Sequence, residues 1–135
     1  MKKFSFQNPY TAKGRTTFPQ TINRSGVYLI KEAGMLVYIG MSGNNLYRTL
    51  YRHFEAWRHP LQEVTTYQSR MRSKKYTVRV VLCSPAQAVR LERALIIKYK
   101  PRDNDVKYNG YQLTFSDQKI ENEYSKALTI DQIPF

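Results

Sequence analysis

The stretch Gly26-Val27-Tyr28-Leu29-Ile30-Lys31-Glu32-Ala33-Gly34-Met35-Leu36-Val37-Tyr38-Ile39-Gly40 decides the fold. Val27–Lys31 and Met35–Ile39 are short runs rich in β-branched and aromatic residues, which suit a pleated, half-buried surface. Glu32-Ala33-Gly34 between them supplies a short glycine-containing loop, so the pair reads as an antiparallel hairpin. Each strand presents one tyrosine, Tyr28 or Tyr38. Gly40 and Gly43 then break the pattern, and Asn44 or Asn45 can cap a following helix.

That helix is expected from about Leu46 to Arg58, ended by Pro60. At helical spacing Leu46, Leu50, Phe54 and Trp57 share one arc with His53 at its edge, while Arg48, Arg52 and Glu55 lie opposite. Residues 61–75 have no clear period. Their basic cluster, Arg70, Arg72, Lys74 and Lys75, suits a solvated loop or a surface that follows phosphates. Tyr76–Leu82 alternates as a third strand. Ser84-Pro85-Ala86-Gln87 starts a helix, with a capping serine, a proline in the first turn and a glutamine three residues on. This helix should end near Tyr99, before Pro101. Beyond Val106 the pattern supports only a short strand at Tyr111–Phe115 and a weak helix near Gln118–Ala127. The order predicts an α+β fold, with a small three-stranded antiparallel sheet flanked by helices and irregular terminal extensions. The expected division is a basic arm at 1–24, a central domain at 25–110 and an extension at 111–135 that lies on or near it.

A chain of 135 residues with 41% hydrophobic content is one domain with a core of its own, which excludes a disordered tail. The single cysteine, Cys83, cannot form an intramolecular disulfide, and His53 and His59 lack zinc-ligand spacing. No apolar core follows Lys2-Lys3, and no apolar run approaches membrane-spanning length. A soluble cytoplasmic protein with no membrane partner is therefore expected; the sequence does not speak to oligomeric state. The net charge is +12 and unevenly spread. Residues 1–75 carry 13 lysines and arginines against 3 acids, residues 76–110 carry 7 against 3, and residues 111–135 carry 2 against 4. A field of this sign attracts polyanions, nucleic acid first among them.

Glu92 is the sharpest single residue. Ala88, Glu92, Ile96 and Tyr99 fall on one stripe of the later helix, so a carboxylate lies within or beside an apolar face. Its burial is costly unless compensated by a divalent metal or by an arginine such as Arg90 or Arg93.

Taken together, these residues resemble the GIY-YIG nuclease family. Gly26-Val27-Tyr28 is a conservative variant of the first tripeptide, and Tyr38-Ile39-Gly40 matches the second. Leu91-Glu92-Arg93-Ala94-Leu95-Ile96 corresponds to the glutamate helix, and Pro101-Arg102-Asp103-Asn104 to the proline–asparagine element. The match covers roughly residues 25–105, and its strength lies in order and spacing rather than in any one tripeptide. The resemblance implies a metal-dependent endonuclease acting on DNA, with RNA also open. It implies one Mg²⁺ (or Mn²⁺) ion held by Glu92, Tyr28 as the group that takes the proton of the attacking water, and Tyr38 orienting that water or Tyr28. Asn104 would fix the loop or hydrogen-bond the tyrosine network, and His53 would support the site. The family's helix arginine commonly precedes its histidine by four residues, and here that place is Thr49. Arg52 lies about 60° from the Thr49 direction and Arg48 about 100°, so both remain candidates for stabilising phosphoryl charge. The displaced arginine leaves an alternative: a weakened or inactive nucleic-acid-binding module of the same fold.

Overall fold

In the computed structural model, which describes residues 1–55, 65–104 and 108–130, the quoted hairpin forms strands β2 (Gly26–Glu32) and β3 (Met35–Ser42). The expected third strand is β4 (Tyr76–Leu82), antiparallel to β2 on its other side. A fourth strand corrects the expected count of three. Residues Lys2–Lys3 form β1 and pair antiparallel with Val81 and Leu82, giving the sheet order β1-β4-β2-β3. Two lysines carry no strand signal, and tertiary contacts hold them. Lys3 is buried, and its Nζ donates to the carbonyl oxygen of Tyr124 at 3.1 Å.

Residues 1–24 otherwise form only a 3₁₀ turn at Pro19–Thr21, but they are well anchored. Phe4 and Phe18 enter the core, and Gln7 exchanges backbone hydrogen bonds with Val78. Among the described residues there are three α-helices: α1 (Leu46–Tyr51), α2 (Pro85–Tyr99) and α3 (Phe115–Lys126). None is long and apolar enough to cross a membrane.

α1 is shorter than the expected Leu46–Arg58 span. It tightens into a 3₁₀ turn at Arg52–Phe54, and residues 56–64, which include Trp57 and Arg58, lie outside the described residues. α2 has the expected bounds. Ser84 Oγ accepts from the Gln87 backbone N–H at 3.2 Å while Gln87 Oε1 accepts from Ser84 N–H at 3.0 Å, a complete capping box. The strand expected at Tyr111–Phe115 is absent, and α3 begins there instead. Thr114 and Asp117 form a second capping box, a signal present in the sequence but masked by the aromatic residues around it.

Pleating sends alternate side chains of β2 to opposite faces. Tyr28 and Ile30 join Val78 and Val80 of β4 in a core closed by Leu46, Leu50, Tyr51, Phe4 and Phe18. Val27 and Leu29 join Ile39 and Val81 under α2 and α3, against Leu91, Leu95, Ile120 and Tyr124. Each fully buried leucine here contributes about 1.5–3 kcal/mol. Arg93 donates twice to Asp117 Oδ1, at 2.6 and 2.8 Å, and Lys98 bonds Glu121 at 2.7 Å, so the acids of α3 fasten it to α2.

The hairpin turns through Ala33 and Gly34, with φ of 49° and 83°. Both central residues are left-handed, as a type I′ turn demands, and alanine is poorly suited to that region. Ala33 is exposed, so its replacement disturbs no packing. Ala33→Asn is expected to stabilise the fold by about 1 kcal/mol. Urea unfolding would show the midpoint rising; an unchanged or lower midpoint would refute this reading of the turn.

Candidate active site

Tyr28 and Tyr38 converge because β3 carries a bulge. Ile30 pairs with Tyr38 and Lys31 with Leu36, so Val37 is one residue in excess. Val37 and Tyr38, though consecutive, therefore both contact the core face that holds Tyr28. The Tyr28 and Tyr38 rings stack with centroids 6.1 Å apart. Gly40 lies opposite Tyr28 in the register, and a Cβ there would fall 2.3 Å from the phenol's Cζ and hydroxyl oxygen. The glycine of the second tripeptide is thus the floor on which the first tripeptide's tyrosine rests. Gly26 meets a parallel constraint, since a Cβ would fall 2.2 Å from the Val81 carbonyl oxygen.

His53 comes in from the 3₁₀ turn. Its ring stands 4.5 Å from Tyr38 and 5.4 Å from Tyr28, centroid to centroid. His53 Nδ1 is 2.6 Å from the Thr65 carbonyl oxygen, which can only accept, so Nδ1 carries the hydrogen. In the neutral ring Nε2 is then the acceptor, and the Tyr28 hydroxyl donates to it at 2.7 Å. Burial pushes the His53 pKa down to about 4 against the opposing pull of the Thr65 bond, with the Arg52 charge acting in the same downward sense. Tyr28 is 1% exposed, and burial raises its pKa well above the ordinary value. The charges of Tyr38 and Glu92 raise it further, and Arg52 works the other way.

Glu92 and Arg52 are therefore both within electrostatic reach of the Tyr28 hydroxyl. Glu92 is 8% exposed on the face of α2 that packs on the sheet. Arg52 is half-buried beside His53. Arg48 is exposed on α1, and its side chain makes no ion pair or hydrogen bond among the described residues. The two arginines that helix phase left open thus stand in different surroundings. The described residues contain no group of three or more histidine, cysteine or acidic side chains able to cage a metal. A lone buried carboxylate fits a magnesium-type ion, which keeps most of its waters and takes other oxygens from a phosphate.

Asn104 serves the site through the backbone. Its Oδ1 accepts from Ile39 N–H at 2.9 Å and its Nδ2 donates to Ile39 O at 2.8 Å. Asp103 N–H donates to the Val37 carbonyl at 2.9 Å. The loop after α2 thereby pairs with the outer edge of β3 and clamps both peptide groups that flank Tyr38.

Sequence reasoning missed the group that holds this loop. Arg102 reaches Glu32 through two bonds of 3.1 and 3.2 Å and Asp103 through two of 2.9 Å. Tyr76 donates to Glu32 at 2.5 Å and Tyr67 to Asp103 at 2.9 Å, and the Tyr67 ring stands 6.2 Å from His53. Arg102, then Tyr76, hold the Glu32 carboxyl down to about 2. Arg102, Asp103 and Asn104 lay inside the proline–asparagine motif, but nothing in it signals the ion pairs of Arg102, and Tyr67 sits where the sequence has no period.

Two outcomes test this geometry. Gly40→Ala should destabilise the protein by about 1–3 kcal/mol, because the Tyr28 ring must move; an unchanged melting temperature would contradict the contact. The folded His53 pKa, about 4, lies below its ordinary 6.5, so the unfolded chain binds more protons between those values. Stability from neutral His53 is full above pH 6.5 and drains as pH falls towards 4, by about 3 kcal/mol. Melting followed across that window should fall more steeply for the parent than for His53→Gln, and equal slopes would disprove the buried neutral ring.

Comparison of the chain with protein-family models, with curated proteins and with solved structures finds no match, so the reading of this site rests on its own residues and their geometry.

Proposed function

We propose that this chain is a metal-dependent endonuclease of GIY-YIG type that hydrolyses phosphodiester bonds of DNA. The observation that carries the reading is the Tyr28 hydroxyl, buried and donating to a neutral His53 Nε2, with one arginine and one carboxylate within electrostatic reach. A buried tyrosine with a raised pKa is a poor base by itself. A tyrosine already hydrogen-bonded to an acceptor can take a proton from water as it passes its own on.

Tyr28 receives the proton of the attacking water on its hydroxyl oxygen while its own proton moves to His53 Nε2. The new P–O bond forms to the water oxygen, the scissile P–O bond breaks, and solvent reprotonates the leaving oxygen. The Thr65 carbonyl keeps the His53 ring oriented through Nδ1–H. Arg52 stabilises the charge that develops on the phosphoryl oxygens. Tyr38 packs against both Tyr28 and His53 and fixes their mutual angle. Glu92 would hold the one divalent cation, Mg²⁺ or Mn²⁺, that supplies charge neutralisation at the phosphate and the leaving oxygen. Asn104 acts as a positioning residue through Ile39. The net charge of +12 supports a polyanionic substrate.

Nicking of supercoiled plasmid, with Mg²⁺ or with EDTA, tests the reading. The parent should nick only with the metal. Glu92→Gln and Tyr28→Phe should each lose about 100-fold or more in rate while gel-shift binding persists. Arg52→Ala should lose about 100-fold in rate, whereas Arg48→Ala should chiefly weaken binding as a phosphate contact does. Salt-sensitive binding with no nicking under any divalent ion would refute the enzyme and assign a nucleic-acid-binding module.

A further inference from the structure

A cavity of about 470 Å³ opens where the last turn of α2 and Asn104 meet residues 108–112. Its volume falls within the roughly 300–1,000 Å³ of sites that take small organic groups. Its walls combine three chemistries. Ile96 gives an aliphatic side, Tyr108 and Tyr111 give aromatic surface, and Asn109 and Gln112 give amides. The tyrosines meet edge to face, centroids 5.9 Å apart. Tyr111 is 67% exposed, so its ring is accessible from solvent. The side chains of Asn109 and Gln112 are exposed and make no hydrogen bond among the described residues. Lys100 caps α2 in the left-handed region, with φ of 45°, at the rim of the same cavity and in no ion pair among the described residues.

We propose that this cavity receives the base of an unpaired nucleotide in a DNA strand. An aromatic face stacks on any base, amides donate and accept along its polar edges, and a lysine at the rim meets the adjoining phosphate. The location gives the pocket its use. Asn104 lines the cavity and at the same time holds both backbone groups of Ile39, between Tyr38 and Gly40. A base lodged there lies against the loop that fixes the backbone beside Tyr38, so the cavity adjoins the candidate site through Asn104. Holding a neighbouring base fixes the register of the strand without reading a sequence, since stacking tolerates every base. The proposal rests on the endonuclease reading for its substrate, but its test needs no catalysis.

Binding of a short fluorescent single-stranded DNA is measured in EDTA, where no cleavage occurs, by anisotropy. Tyr111→Ala should weaken binding about tenfold and Tyr111→Phe by less than about twofold, because stacking and not the hydroxyl is used. The exposed ring takes no part in the buried core, so the variant folds as the parent does, and circular dichroism verifies it. A 2-aminopurine in the strand should be quenched by the parent and not by Tyr111→Ala. Equal affinity of parent and Tyr111→Ala, or no quenching by the parent, would overturn the proposal. So would adenosine monophosphate binding as tightly as the strand, which would mark a site for free nucleotides. Absence of metal-dependent nicking would sink the endonuclease reading and leave these binding results standing, so the two failures are distinguishable.

Discussion

The structure turns on how the Tyr28 side chain is accommodated. A phenol carried on the central strand of a sheet, covered on both faces, must find room for its ring and a partner for its hydroxyl. Gly40 provides the room, directly across the ladder, and His53 provides the partner. Each solution constrains something further. Gly40 gives up side-chain packing at the middle of an edge strand, and His53 must stay neutral and keep one tautomer, which commits Nδ1 to the Thr65 carbonyl. A buried hydroxyl donating to a buried imidazole is a stable structural pair. The Tyr28 ring also stacks on Tyr38 and lies within electrostatic reach of Arg52 and Glu92.

β3 is the exposed side of the sheet, and an edge strand holding half of a site needs a cover. The Asp103-Asn104 segment is that cover. Its hold on the backbone of Val37 and Ile39 spans the bulge that turns Tyr38 inward. Arg102 cannot let go of this segment easily, because two carboxylates share its five donors. Glu32 at the far end of β2 therefore communicates mechanically with Asn104, through a guanidinium rather than through the core. The same network brings Tyr67 against His53. The site is thus held from three directions by groups that touch no candidate reacting atom.

What was legible in the sequence follows from how local each signal is. The hairpin, β4 and α2 rest on short-range patterns: alternation, a glycine loop, a serine–glutamine box. The bounds of β2, β4 and α2 agree within a residue, but β3 runs three residues past the expected Ile39, through Gly40 to Ser42, because its pairing with β2 continues to Gly26. Lys2–Lys3 as a strand was not legible, since its warrants are contacts with Val81, Leu82 and Tyr124, about 80 to 120 positions away. α3 was half legible; its capping box was present, but the neighbouring Tyr111 and Phe115 suggested a strand. In the site, Tyr28, Tyr38, His53 and Asn104 were nameable from motif order, and the structure brings them together. The choice between Arg48 and Arg52 was beyond helix phase because α1 narrows into a 3₁₀ turn at Arg52, which changes the angle per residue just where it matters. Tyr67, Thr65 and Glu32 had no signal, because their roles arise only when three distant segments meet.

The placement of acids explains the electrostatic character better than the net charge does. Glu32, Asp103, Asp117 and Glu121 are each tied to an arginine or lysine inside the fold, and Glu92 is buried at the candidate site. These carboxylates are used for joining segments, so few remain to neutralise the surface. The cations they leave over include Arg15, Arg24, Arg48, Arg72, Lys74, Lys75 and Lys100, none of them in an ion pair among the described residues. The mild acidity of the last segment is likewise internal, since Asp117 and Glu121 face α2 and not the solvent. A +12 chain of this size repels itself in the compact state, and that repulsion is relieved when a polyanion lies on it. Stability and partner choice thereby become one argument. The ion pairs, each with its carboxylate largely buried and its cation reaching the surface, hold the fold against its own charge and leave the remaining cations outside.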